Sequence, residues 1–204
     1  MNINKPPRWV RKLYWSFNWK MQGKTKSLYL TFDDGPTPEI TSWVLNEPEK
    51  YNAKATFFCI GRNVEKHPDI YQSIIKKGHA VGNHTYSHLK GWRTRNNEYI
   101  DDIQLASQFI QSKLFRPPYG KIGQQQIRSL KKNGYKLFMW DVLSEDYNNK
   151  ITEQQCLENV TRYAQDGSII VFHDSVKAGK NLYATLPIVL KTYTEKGFEF
   201  RILK

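Results

Sequence analysis

The stretch L-Y-L-T-F-D-D-G, Leu28 to Gly35, decides how this chain is read. An apolar, β-forming run ends in two adjacent carboxylates and a glycine. That pattern reads as a strand delivering polar groups at its carboxyl end. Further runs of the same kind occur at Ala55–Ile60, His79–Asn83, Leu114–Arg116, Tyr135–Val142, Ser168–His173 and Phe198–Leu203. Helical patterns lie between them. One opens at Thr37, an N-cap residue followed by Pro38 at the first helical position, and ends or kinks at Pro48. Another runs from Pro68 to Gly78. Others cover Glu98–Ser112, Gln124–Asn133, Thr152–Gln165 and Ala184–Lys196. Gly134 and Gly197 follow helices and precede strands, as the loops of an alternating fold require.

Seven strands alternating with helices predict a parallel sheet, either open and doubly wound or closed into a barrel. The polar clusters choose between them. Asp33 and Asp34 end the first strand, His84 the third and Arg116 the fourth, while Asp146 follows the fifth and His173 ends the sixth. Polar residues at the carboxyl ends of five strands describe the rim of a barrel. An open sheet would favour a glycine-rich phosphate turn, and no such motif is present. The expectation is an α/β fold, a distorted (β/α)7 barrel forming one domain over residues 27–204.

Length and composition agree with one soluble-type domain: 204 residues, 39% hydrophobic and 25% charged. No apolar run reaches the length of a membrane helix. The first 26 residues differ from the rest, with seven Lys or Arg and no acid. Trp9, Leu13, Phe17 and Met21 follow helical spacing, which predicts a basic amphipathic helix packing on the barrel. Docking on a membrane surface is the alternative. The segment lacks the apolar core and cleavage site of a signal peptide, which leaves a cytoplasmic location as the default. The net charge of +12 reads as a solvated basic surface rather than a nucleic-acid footprint. Cys59 and Cys156 have no partner at zinc or redox spacing and are expected as free thiols.

The chemistry lies in two clusters. In N-H-T-Y-S-H, His84 and His88 are four residues apart, a spacing that on a helical turn puts both imidazoles on one face. A carboxylate from the Asp33–Asp34 pair completes three ligands for one metal ion and leaves a position for water. The other carboxylate is then free to act as a base. Asn83 and Thr85 are candidates for orienting the rings. F-R-P-P-Y-G, Phe115 to Gly120, is a rigid loop that can aim a backbone N–H at an oxyanion, and Arg116 can pair with a carboxylate. In V-F-H-D, His173 is a strand-terminal candidate for a general acid, with Asp146 able to hold its imidazolium. Trp92, Trp140 and Tyr147 are either sugar-stacking walls or core, and His67 and His79 take no role.

With these residues in view, the chain resembles the polysaccharide deacetylases of the NodB-homology group, carbohydrate esterase family 4. T-F-D-D-G-P, G-H-A-V-G-N-H-T-Y-S-H, R-P-P-Y-G, W-D-V-L-S-E-D-Y and V-F-H-D are similar to the family's five motifs and keep their order. The resemblance implies a metal-dependent enzyme that removes N-acetyl or O-acetyl groups from glycans. It implies Asp33 as base, Asp34, His84 and His88 as ligands to one divalent ion (usually zinc, with cobalt as an alternative), and Arg116 beside the base. It further implies the Tyr119 N–H as oxyanion donor and His173 as acid with Asp146 as its partner. The chain departs from the pattern at Leu143, where an aspartate is usual, at Tyr147 in place of tryptophan, and at Val171 in place of leucine. An acetylated glycan is the implied partner, with no nucleic acid. Hydrolysis of another C–N bond, or a barrel that binds glycans without turnover, are the rival readings.

Overall fold

The computed structural model describes residues 6–22 and 26–204, apart from the side chains of Arg8 and Leu13. Its centre is β1 (Ser27–Asp33), buried along all seven residues. Burial on both faces explains why the strand reads as a continuous apolar run rather than an alternating one. Beside it lie β2 (Ala55–Cys59) and β7 (Ile169–His173), each in parallel register with it. The sheet continues through β3 (Ala80–Asn83), β4 (Leu114–Phe115) and β5 (Lys136–Leu137) on one side and β6 (Val142–Leu143) on the other. A further strand, β8 (Glu199–Phe200), pairs only with Ser27 and Leu28 at the start of β1. The sheet curls into a seven-stranded parallel barrel as expected, with β8 outside the circuit.

Two strand assignments change. The run Tyr135–Val142 is not one strand but two, because Phe138–Asp141 leaves the sheet between β5 and β6. β5 pairs with β4, β6 pairs with β7, and β5 and β6 stand on either side of a seam. The last run, Phe198–Leu203, keeps only two paired residues.

Helices cover the outside. α2 (Ile40–Glu49) begins two residues later than Thr37 as N-cap suggests, because Glu39 takes φ 64° and interrupts the first turn, although Thr41 N–H still donates to the Thr37 carbonyl at 2.9 Å. α3 (Gly61–Lys66) is a short helix that the sequence pattern misses, and α4 (Pro68–Lys76) carries proline at its first position. α5 (Asn96–Ala106), α6 (Gln124–Lys132) and α7 (Glu153–Thr161) follow the expected order. α8 (Gly179–Glu195) starts five residues before Ala184 and contains Pro187. The main core joins Leu30, Phe32 and Phe57 of the sheet to Val44, Ile74, Leu186 and Val189 of the helices. Cys59 and Cys156 are free and buried.

The N-terminal segment is not the long helix that the spacing suggested. α1 (Arg8–Leu13) ends within two turns. The chain then runs across the seam: Asn18 bridges Phe138 and Lys20 bridges Ser168. Asn18 N–H donates to the Leu137 carbonyl at 2.8 Å and Met21 N–H to Gly167 at 2.8 Å. Tyr14 and Phe17 are buried, and Met21 packs on a small cluster formed by Tyr29, Phe58, Phe138, Ile169 and Leu203. Trp9 is 61% exposed, and the Leu13 side chain falls outside the described residues. Arg11 pairs with the buried Asp141 at 3.1 Å. Deleting residues 1–24 should therefore remove two buried aromatics, worth roughly 1.5–3 kcal/mol each. That corresponds to a fall in Tm of about 10 °C for a domain of this size. An unchanged Tm together with lost vesicle binding would favour membrane docking instead. Among the described residues, no helix is long and apolar enough to cross a membrane.

Candidate active site

The carboxyl ends of the strands and the loops that follow them carry all eight of the expected residues. β1 ends at Asp33, and Asp34 turns away from the strand with φ 82°. The turn is fixed from below by Asp174, which the sequence reading passed over. Its buried carboxylate accepts from Gly35 N–H at 3.0 Å and from Thr41 Oγ1 at 2.6 Å, and its own N–H donates to the Asp33 carbonyl at 3.1 Å. A Cβ on Gly35 would lie 2.0 Å from Asp174 Oδ2, so only glycine fits there. Burial raises the Asp174 carboxyl to about 7. Asn63 adds a hydrogen bond to the Asp34 carbonyl at 2.7 Å.

The turn sends the two carboxylates to different partners. Asp34 Oδ1 lies 3.2 Å from His88 Nε2 and 3.7 Å from His84 Nε2. One donor atom from each of the three residues falls within a 4.8 Å cluster. The histidines reach it without a helix. His84 follows β3 and His88 ends an irregular loop in which Thr85 (φ 66°) and His88 (φ 57°) are both left-handed. Asn83 and Thr85 brace this loop rather than the rings. Asn83 Oδ1 accepts from Thr85 N–H at 2.8 Å, and Asp102 Oδ2 accepts from Tyr86 and Ser87 N–H. The His84 ring is oriented by the Arg116 carbonyl, 2.7 Å from Nδ1. Nδ1 must be the protonated nitrogen to make that bond, which leaves the Nε2 lone pair facing Asp34.

The donor chemistry fits a divalent ion: two imidazole nitrogens and one carboxylate oxygen, all within reach of one another. Burial lowers His84 to about 4, so protons compete for its lone pair only in acid solution. Burial acts to raise Asp34, but the His88 hydrogen bond and the charges of His173, His84 and His88 outweigh it, holding the carboxyl well below its usual range.

Asp33 faces the other way. Arg116 Nη1 donates to Asp33 Oδ1 and to Thr31 Oγ1, each at 2.7 Å, and Nη2 donates to the Met139 carbonyl at 2.9 Å. The guanidinium is fully buried over the Phe58 ring. A buried cation with one carboxylate partner makes that pair costly to break. Replacing Arg116 with alanine should destabilise the fold by about 3–5 kcal/mol, read as a drop in urea midpoint at unchanged slope.

On the opposite flank, His173 ends β7. Its Nδ1 lies 2.8 Å from Asp146 Oδ1, and its N–H donates to Asp146 Oδ2 at 2.7 Å. Asp146 is fully buried, and Asn181 Nδ2 donates to its carbonyl at 3.0 Å. Burial works to lower His173, but the charge and hydrogen bond of Asp146 overcome it and raise the imidazole to about 9. Tyr147 stands edge-on to the His173 ring at 4.9 Å.

Tyr119 completes the group through its backbone. Pro118 and Gly120 flank it, and it is left-handed at φ 60°. Its ring lies 4.7 Å from that of His88, beside the triad. Gly120 is also left-handed, and a Cβ there would meet Trp140 at 2.6 Å. Trp140 therefore backs the loop, whereas Trp92 is 58% exposed at the rim.

Comparison with known proteins identifies the family. The family model for polysaccharide deacetylase matches residues 20–138. A peptidoglycan-N-acetylglucosamine deacetylase of Bacillus cereus is 31% identical over 189 residues, covering 89% of this chain and 88% of that protein. Chitin deacetylase 2 of Saccharomyces cerevisiae is 35% identical over 159 residues, covering 72% of this chain but only 50% of the yeast protein. The crystal structure of the Bc1960 peptidoglycan N-acetylglucosamine deacetylase superposes with a TM-score of 0.83 at 30% identity, covering 96% of this chain and 93% of that one. The barrel, the ordered motifs and these likenesses establish that the chain belongs to the polysaccharide deacetylase family, the NodB-homology hydrolases of carbohydrate esterase family 4 that act on carbon–nitrogen bonds other than peptide bonds.

Proposed function

We propose that this protein hydrolyses the N-acetyl group of an amino-sugar polysaccharide, with Asp34, His84 and His88 holding one zinc ion. The observation that carries the reading is the flanking of the three-donor cluster by an arginine-paired carboxylate on one side and a carboxylate-paired histidine on the other. An ion held there supplies Lewis acidity toward the acetyl carbonyl and acidifies water. Asp33, fixed by Arg116, accepts the proton of the attacking water. The Tyr119 N–H, presented by the left-handed backbone between Pro118 and Gly120, donates to the developing oxyanion. His173 donates its Nε2 proton to the leaving amine, while Asp146 stabilises the imidazolium and fixes Nδ1 as the inward donor.

Named relatives act on peptidoglycan and on chitin, and these two polymers are the first substrates to try. Acetate release from peptidoglycan strands and from chitooligosaccharides tests the reading. Chelation should abolish release, and zinc or cobalt should restore it. Full activity in metal-free protein would overturn the assignment of the ion.

A further inference from the structure

Lys90, Lys121 and Lys177 stand on loops of the rim, and among the described residues none of them has a carboxylate partner. Each holds its ammonium over an aromatic ring instead. Lys90 Nζ is 4.8 Å from the Tyr119 ring centre, Lys121 is 5.4 Å from Trp92, and Lys177 is 5.6 Å from Tyr147. A ring attracts a cation through its quadrupole without cancelling its charge. Each ammonium is thus oriented and still available to an anion.

The rings are tied to the groups that do the chemistry. Tyr119 packs 4.7 Å from His88, and Tyr147 packs 4.9 Å from His173. The loops carrying Lys90 and Lys121 are joined by Gly91 N–H to the Lys121 carbonyl at 3.1 Å, and by Trp92 Nε1 to the Ile122 carbonyl at 2.8 Å. Residues 84–95 and 116–123 contain Arg93 and Arg95 as well and no acidic residue. Positive charge therefore stands on both flanks of the centre, two ammoniums on the His88 side and one on the His173 side. A neutral strand gains most from bare ring faces on which sugars stack. Here three rim rings each carry an ammonium over a face, which gives up stacking area in exchange for charge.

We propose that these lysines form subsites for carboxylates on the units flanking the sugar that loses its acetyl group, so that the preferred substrate is an anionic acetylated glycan. This rests on the deacetylase reading above. The test uses peptidoglycan strands with free stem carboxylates, the same strands with those carboxylates amidated, and neutral chitooligosaccharides. Wild-type kcat/KM should favour the free-carboxylate strand over its amidated form by about tenfold, the sum of several exposed charge contacts. Salt should shrink the ratio. The combined variant Lys90→Gln, Lys121→Gln, Lys177→Gln should bring the ratio close to one, whereas a folding defect lowers both rates and leaves the ratio in place. Affinity electrophoresis of metal-free protein through the two strands should show the same preference and the same loss. A wild-type ratio near one, or a triple variant that keeps the preference in both measurements, overturns the proposal. If acetate is released equally well from neutral and anionic strands, the deacetylase reading stands and the lysine subsites fall. If no strand yields acetate, the deacetylase reading falls and takes the subsites with it.

Discussion

Asp33→Asn lowers turnover on the order of a hundredfold or more and leaves bound metal near the wild-type level. The asparagine keeps the size of the side chain and can still accept from Arg116, but it cannot take a proton from water. Loss of a general base has this magnitude. KM should change little, because the missing interaction forms only in the transition state. Asp34→Asn should behave differently, losing activity and metal affinity together, because Asp34 Oδ1 is the atom closest to both histidine nitrogens. Metal content of the two purified variants, set beside their acetate-release rates, separates the roles. If Asp33→Asn strips the metal and Asp34→Asn keeps it, the two assignments are reversed.

That two adjacent aspartates part in this way was only half legible in the sequence. Alternation along a strand predicts opposite faces, and Asp33 does take the inward course to Arg116. Asp34, however, is aimed by a turn with positive φ, and its geometry depends on Asp174, 140 positions further along the chain. No local pattern announces that contact. The strands were legible because burial on both faces leaves long apolar runs, as in β1 and β7. The seam was not, because Tyr135–Val142 is as apolar as a strand even where the chain leaves the sheet at Phe138–Asp141. Likewise His84 and His88 were found for a spacing that suits a helix, yet they meet through a loop with two left-handed residues. The side chains that can hold an ion were readable; the loop backbone that presents them is braced by Asn83 locally and by Asp102 from α5, and the His84 ring is aimed by the distant Arg116 carbonyl.

His173→Ala should lower turnover by about a hundredfold to ten-thousandfold, the range for a lost general acid. Substrates whose leaving group needs less protonation should recover part of the loss, since the missing proton matters less to them. The pH profile carries the sharper consequence. Asp146 is the main group raising His173, to about 9, against the opposing pull of burial. The acid must be protonated to act, so kcat/KM should hold through neutrality and fall as pH rises through about 9. Asp146→Asn removes the largest raising charge and leaves burial in place, with Asp34 and Asp33 still acting to raise the ring. The alkaline limb should then move down, toward the ordinary histidine range near 6.5. The same shift governs the stability of metal-free protein. With its folded value raised, His173 contributes stability that is complete below about 6.5 and lost as pH climbs through about 9. In Asp146→Asn that loss should shrink, because the largest group raising the folded value is gone. Denaturation midpoints at pH 6 and pH 10 for both proteins supply a readout independent of turnover. An alkaline limb that stays in place in Asp146→Asn would mean that a group other than His173 delivers the proton.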